Sequence, residues 1–102
     1  ASYYDENSKE REYLFQHGLR DLSDLNFNIN YVNQISQNEI EVMYLSDKET
    51  DLWIRICNSE DDDNTYKKDD KYVIYKKNNK NYYIWSTGNI DSSIVDNVIT
   101  RI

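Results

Sequence analysis

A chain of 102 residues with ten tyrosines, two tryptophans and 38% apolar residues has enough bulk for one folded domain with a modest core, and no Pro/Gly/Ser-rich linker or internal repeat divides it. A formal net charge of -7 argues against general binding of nucleic-acid phosphates, and no run of about 18 apolar residues offers a transmembrane span. Cys57 is alone, so an intrachain disulfide is excluded and packing must hold the fold, with this thiol read as a small core residue inside an apolar strand.

Residues 1–4 are expected to be flexible. From Asp5 to about Leu25, Tyr13, Leu14, Leu19, Leu22 and Leu25 fall near helical spacing, with acids in the first turn that suit the positive end of a helix dipole. One amphipathic helix is predicted. Gly18 inside it marks a kink, a break into two shorter helices or a close approach to a sheet.

Asn26–Val32 alternates Phe27, Ile29 and Tyr31 with asparagines, the period of a strand with one buried face. Asn33–Gln37 then reads as a connection. Asn38–Leu45 alternates again, with Ile40, Val42 and Tyr44 inward and Glu39 and Glu41 outward. A polar turn over Ser46–Asp51 leads to a strand from Leu52 to Cys57, which places Leu52, Ile54 and Ile56 on one face and Trp53, Arg55 and Cys57 on the other. This third strand is read as central. Residues 58–70, dense in charge and without apolar period, read as a long exposed connection.

The stretch from Lys71 to Thr87 carries the clearest local signal, two aromatic and β-branched runs around Asn78 and Asn79, which both tolerate the positive φ of a tight two-residue turn. Pairing about that turn sets Tyr75 against Tyr82, Ile74 against Tyr83 and Val73 against Ile84. Both faces of this hairpin are then apolar, so both need cover. The last segment, from Asn89, has Gly88 as a breaker, Asp91 as an N-cap and Ile94, Val95, Val98, Ile99 and Ile102 at the spacing of a short helix, with a closing strand as the alternative.

The expected fold is therefore α+β: an N-terminal helix, an antiparallel meander of about five strands and a short C-terminal helix, with the helices packed on one sheet face. In element order alone this layout is similar to cystatin-like folds and to small helix-plus-sheet envelope proteins of bacteria.

Strand parity puts Trp53, Arg55, Tyr72, Tyr83 and Trp85, together with Met43, within reach of the face opposite the helices, and Trp, Tyr and Arg are the residues from which interface centres are built. The same rings can instead complete a small core. On the first reading the chain is a non-enzymatic binding or accessory domain whose partner is a protein, a homodimer being one form of that.

The alternative is an acidic inhibitor or immunity-type protein that covers a basic site with Glu39, Glu41, Glu60, Asp61, Asp62 and Asp63. The run Glu60–Asp63 does not meet a calcium-loop pattern, because Tyr66 stands where the turn glycine and Tyr72 where the bidentate glutamate belong. His17, the single histidine, is read as a surface or helix-packing residue, and no catalytic, metal or cofactor motif is present.

Six of the eight lysines lie between Lys67 and Lys80; they read as guards of an exposed strand edge, or as a contact for an anionic partner. The start at Ala1 without Met is read as upstream removal, and the Asn, Lys, Ile and Tyr bias as a low-GC bacterial source. The domain is accordingly placed outside the cytoplasm, exported or surface-anchored by lipid, with a cytoplasmic setting as the alternative.

Overall fold

The computed structural model describes residues 2–3, 9–59, 65–68, 72–88 and 92–102. Seven strands form one antiparallel sheet: β1 (Ser2–Tyr3), β2 (Phe27–Ser36), β3 (Glu39–Ser46), β4 (Asp51–Asn58), β5 (Thr65–Lys68), β6 (Tyr72–Lys77) and β7 (Lys80–Trp85). Five of these are six residues or longer. Helix α1 (Lys9–Gln16) precedes β2 and helix α2 (Ser92–Arg101) follows β7, which makes the class α+β. Among the described residues no helix is long and apolar enough to cross a membrane.

The strand order β1-β2-β3-β4-β7-β6-β5 corrects the expected meander. β4 pairs with the last strand rather than the next one, so the chain runs from β4 to the far edge and returns inward through β5 and β6. Burial explains the choice. β7 buries Tyr82 and Ile84 and suits the interior, whereas the short, lysine-bearing β5 suits an edge that should not recruit other strands. β5 and the end of β4 at Asn58 fall inside the stretch read as a loop, residues 58–70; its residues 60–64 and 69–70, Glu60–Asp63 among them, lie outside the described residues, as does Asp91. Of residues 1–4, expected to be flexible, Ser2 and Tyr3 pair with β2 as β1, and the other two lie outside the described residues.

One face of the sheet carries the core. Ile40, Val42 and Tyr44 of β3, Leu52, Ile54 and Ile56 of β4, Tyr82 and Ile84 of β7 and Val73 of β6 cluster with Leu14, Leu19, Leu22, Val95, Val98 and Ile102, so both helices pack on this side. The helical spacing expected at the C-terminal end is the one observed, with Val95 and Val98 fully buried. Arg101 pairs with Asp24 at 2.7 Å and Lys77 Nζ donates to the Ile102 carbonyl at 2.9 Å, which places a cation at the negative end of α2.

The N-terminal helix is shorter than its apolar spacing implied, because Gly18 ends it. Gly18 has φ +102°, and the Gly18 amide donates to the Phe15 carbonyl while the Leu19 amide donates to the Leu14 carbonyl, both at 3.1 Å. That is a Schellman cap, with Leu14 and Leu19 in its hydrophobic contact. Leu22 then enters the core from non-helical chain, and a 3₁₀ turn (Ser23–Leu25) ends at Asn26, held at φ 63°.

β2 departs from the expected alternation. Ile29 lies opposite Tyr44 but Tyr31 lies opposite Met43, so Asn30 is an extra residue and a bulge inverts the faces beyond it. Phe27 and Val32 are therefore buried while Tyr31 moves to the other face. The strand also continues past Asn33 to Ser36, and a second irregularity at Ile35 leaves that side chain 41% exposed.

A Cβ on Gly18 would stand 2.5 Å from the Tyr82 hydroxyl oxygen, while one on Gly88 would meet nothing. Gly18→Ala is expected to lower the unfolding free energy by about 2 kcal/mol or more, from left-handed backbone plus the clash, and Gly88→Ala by less than about 0.5 kcal/mol. Urea titration checks this. In a Tyr82→Phe background, which removes the clashing oxygen, the Gly18→Ala loss should shrink; equal losses in both backgrounds would sink the account.

Candidate functional site

The sheet face opposite the helices is organised in rows that the ladder register lays across the strands. Tyr31, Met43, Trp53, Trp85 and Tyr72 follow one another from β2 to β6 as direct partners. The next row runs Asn33, Glu41, Arg55, Tyr83 and Ile74, and the one beyond it Glu39, Cys57, Asn81 and Lys76. Four of the partner-binding candidates, Trp53, Arg55, Tyr83 and Trp85, thus fall on one face, in two adjacent rows, and the fifth, Tyr72, pairs with Trp85 in the ladder. Period two produces this: residues 53, 55 and 57 must point away from Leu52, Ile54 and Ile56.

Trp53 and Trp85 form the centre. Their rings are stacked with centroids 6.0 Å apart and planes 9° apart, an offset arrangement that aromatic quadrupoles favour. The Trp53 indole is fixed by Asp51 on the same strand: Trp53 Nε1 donates to Asp51 Oδ2 at 2.8 Å. Asp51 also accepts from Ser86 Oγ at 3.0 Å, Thr87 Oγ1 at 2.7 Å and the Thr87 amide at 3.3 Å. One carboxylate therefore ties the start of β4 to the chain that leaves β7. Burial pushes the Asp51 carboxyl up, but the hydrogen bonds from Thr87, Trp53 and Ser86 together outweigh it and hold the group below its ordinary value.

The second row is ordered by charge. Arg55 donates to Glu41 Oε2 from Nη2 at 2.7 Å and from Nε at 3.1 Å, and Nε lies 3.6 Å from Glu39 Oε1. The hydrogen bond with Glu41 leads in holding the Arg55 charge more firmly than usual. Glu41 is only 14% exposed along its side chain, so these two acids face their own sheet's arginine rather than outward. Glu39 and Glu41, the described members of the expected acidic surface, are thus paired within the sheet. Cys57 lies beside Glu39 and Asn81 on this face, half-buried, and not in the core as expected; burial, reinforced by Glu39, pushes its thiol up and makes it a poor nucleophile near neutral pH.

Elsewhere, a cleft of about 120 Å³ opens beside α1, between Phe15, Leu22, Phe27 and Ile29, with the Arg11–Asp21 pair at its rim, 3.5 Å apart. His17 packs against Tyr13 with ring centroids 4.2 Å apart and planes tilted by 43°, and its Nδ1 lies 2.9 Å from the Tyr13 carbonyl, the helix-packing role read from the sequence. Among the described residues no three His, Cys, Asp or Glu side chains converge on a metal-sized site.

No protein-family model, curated protein or solved structure matches the chain. The likeness to cystatin-like folds rests on element order alone.

Sequence reasoning missed two members of the face. Asp51 was read as a turn residue, although its i, i+2 relation to Trp53 places the two on one strand face. Tyr31 could not have been found, because the bulge at Asn30 has no signature beyond an asparagine among asparagines.

Because the folded Asp51 carboxyl lies below its unfolded value of about 3.9, its ionised form stabilises the fold above that value, and the contribution is lost as pH falls through the lower folded value. Asp51→Asn should therefore be less stable than the parent near neutral pH and draw level with it below about pH 4. Urea unfolding followed by tryptophan fluorescence across pH measures the gap; a gap independent of pH would show that the carboxylate charge is not what holds Trp53.

Proposed function

We propose that this chain is a non-enzymatic protein-binding domain whose partner docks on the open aromatic face of the sheet. The observation that carries the reading is the row Tyr31, Met43, Trp53 and Trp85, contiguous across four strands on the side away from both helices. Large rings held in place lose little entropy on binding, and here the Asp51 and Arg55 contacts hold two of the rows before any partner arrives. An arginine beside Tyr83 and Trp53 adds polar specificity to an apolar centre.

The acidic-inhibitor reading has less support, since Glu39 and Glu41 turn toward Arg55.

The proposal requires a face that is open in the free chain and covered in the bound one. In dilute solution Tyr83→Lys and Ile74→Lys should each change the unfolding free energy by less than about 1 kcal/mol. A loss of about 3 kcal/mol or more, the size expected for a buried aromatic, would mean the face is already covered. A photo-crosslinking side chain at position 83, in cells that make the chain, should capture protein at a yield reduced by Trp85→Ala. Capture no greater than from the exposed position 48 would overturn the proposal.

A further inference from the structure

We infer that the partner covering this face is a second copy of the same chain, packed sheet on sheet about a two-fold axis that runs along the strands; the inference rests on the docking role proposed above. Size is the first argument. Strands about 4.8 Å apart and about 20 Å long make a face of roughly 30 by 20 Å, in keeping with overall extents of 34 × 30 × 21 Å. Two such faces together remove about 1,200 Å² from water, the lower bound for a stable specific interface.

Charge is the second. The chain carries -7, which opposes self-association through its acidic surface at large. On the open face, among the described residues, Glu39, Glu41 and Asp51 stand with Arg55 and Lys76, so this surface is close to neutral. A basic partner would find little to bind here, whereas a like-charged copy meets little repulsion.

The row order sets the axis. Stacked sheets lie about 10 Å apart with strands within about 30° of each other. An axis along the strands lays each row on itself, aromatic on aromatic, whereas an axis across them through the middle row, the one that keeps all three rows covered, would press Trp53 and Trp85 against the row of Glu39 and Lys76. Matching apolar centres favour the first arrangement. With the axis between β4 and β7, Trp53 of one copy lies over Trp85 of the other, Arg55 lies over Tyr83, and the two Cys57 residues come within about 12 Å of each other.

Sedimentation of the purified chain over a wide concentration range should show a monomer–dimer equilibrium that added salt strengthens or leaves unchanged, because salt screens the repulsion between acidic copies. Tyr83→Lys, its fold checked by circular dichroism, should weaken the dimer roughly thirtyfold. Acrylamide quenching of the tryptophans should fall as the dimer fills.

A monomer with quenchable tryptophans overturns the second copy and leaves the docking role standing; a monomer with shielded tryptophans overturns both. A dimer indifferent to Tyr83→Lys or weakened by salt also overturns the inference.

Discussion

Two consecutive asparagines with positive φ constrain most of what this molecule does. Asn78 and Asn79, at φ 53° and 63°, close the β6–β7 hairpin in a two-residue turn, and that turn leaves one register. A slip of one residue would exchange the faces of β7. In the register observed, Tyr82 and Ile84 enter the core while Tyr83 and Trp85 lie half-buried on the face opposite the helices. The inward Tyr82 hydroxyl donates to the Gly18 carbonyl at 3.0 Å, and Tyr44 on β3 donates likewise to the Arg20 carbonyl at 2.9 Å. The chain that leaves α1 is thus held against the sheet by two phenols whose orientation is set strands away.

The two faces are stabilised by different physics. On the helix side, aliphatic side chains exclude water and two tyrosines spend their hydroxyls on backbone carbonyls, one bond buried and the other half-buried. On the open side, position is fixed by directional contacts: a carboxylate that gathers an indole, two hydroxyls and an amide, an arginine between two glutamates, and a pair of offset rings. Such contacts contribute less to stability than the aliphatic core, since their groups remain partly solvated. What they provide is a surface of fixed shape, as a recognition surface requires.

Period two made β3, β4 and the β6–β7 hairpin legible, because no inserted residue shifts parity within any of them. Ile40, Val42 and Tyr44, then Leu52, Ile54 and Ile56, occupy the face expected of them, and each of the three pairs proposed across the hairpin is an observed partner pair. Adjacency was not legible: nothing local to β4 distinguishes β6 from β7 as its neighbour, and burial across the whole sheet decides it. The bulge at Asn30 was hidden for a related reason. An inserted residue changes parity without changing composition, so Tyr31 was assigned to the wrong face. Gly18 is legible as a departure from helix, but the close approach of Tyr82 to it, from sixty-four residues away, is not. The residues of the open face were legible as a set; their arrangement in rows, and the part played by Asp51, belong to the register.

The inserted position of β7 bears on how the sheet is made. β2, β3 and β4 are joined by neighbouring hairpins, and so are β5, β6 and β7, so each half can form from contacts close in sequence. The seam between β4 and β7 joins them, and its pairs, from Trp53 with Trp85 to Asn58 with Lys80, span the whole intervening segment. Closing that loop requires ordering chain before the seam's contacts repay it, which makes the seam the natural last step of assembly. Until it closes, β4 presents an unpaired edge flanked by Leu52, Ile54 and Ile56, a surface prone to pair with the wrong strand. The row of tryptophans that forms the centre of the open face is then also the record of a completed fold, since Trp53 and Trp85 meet only when the two halves have joined.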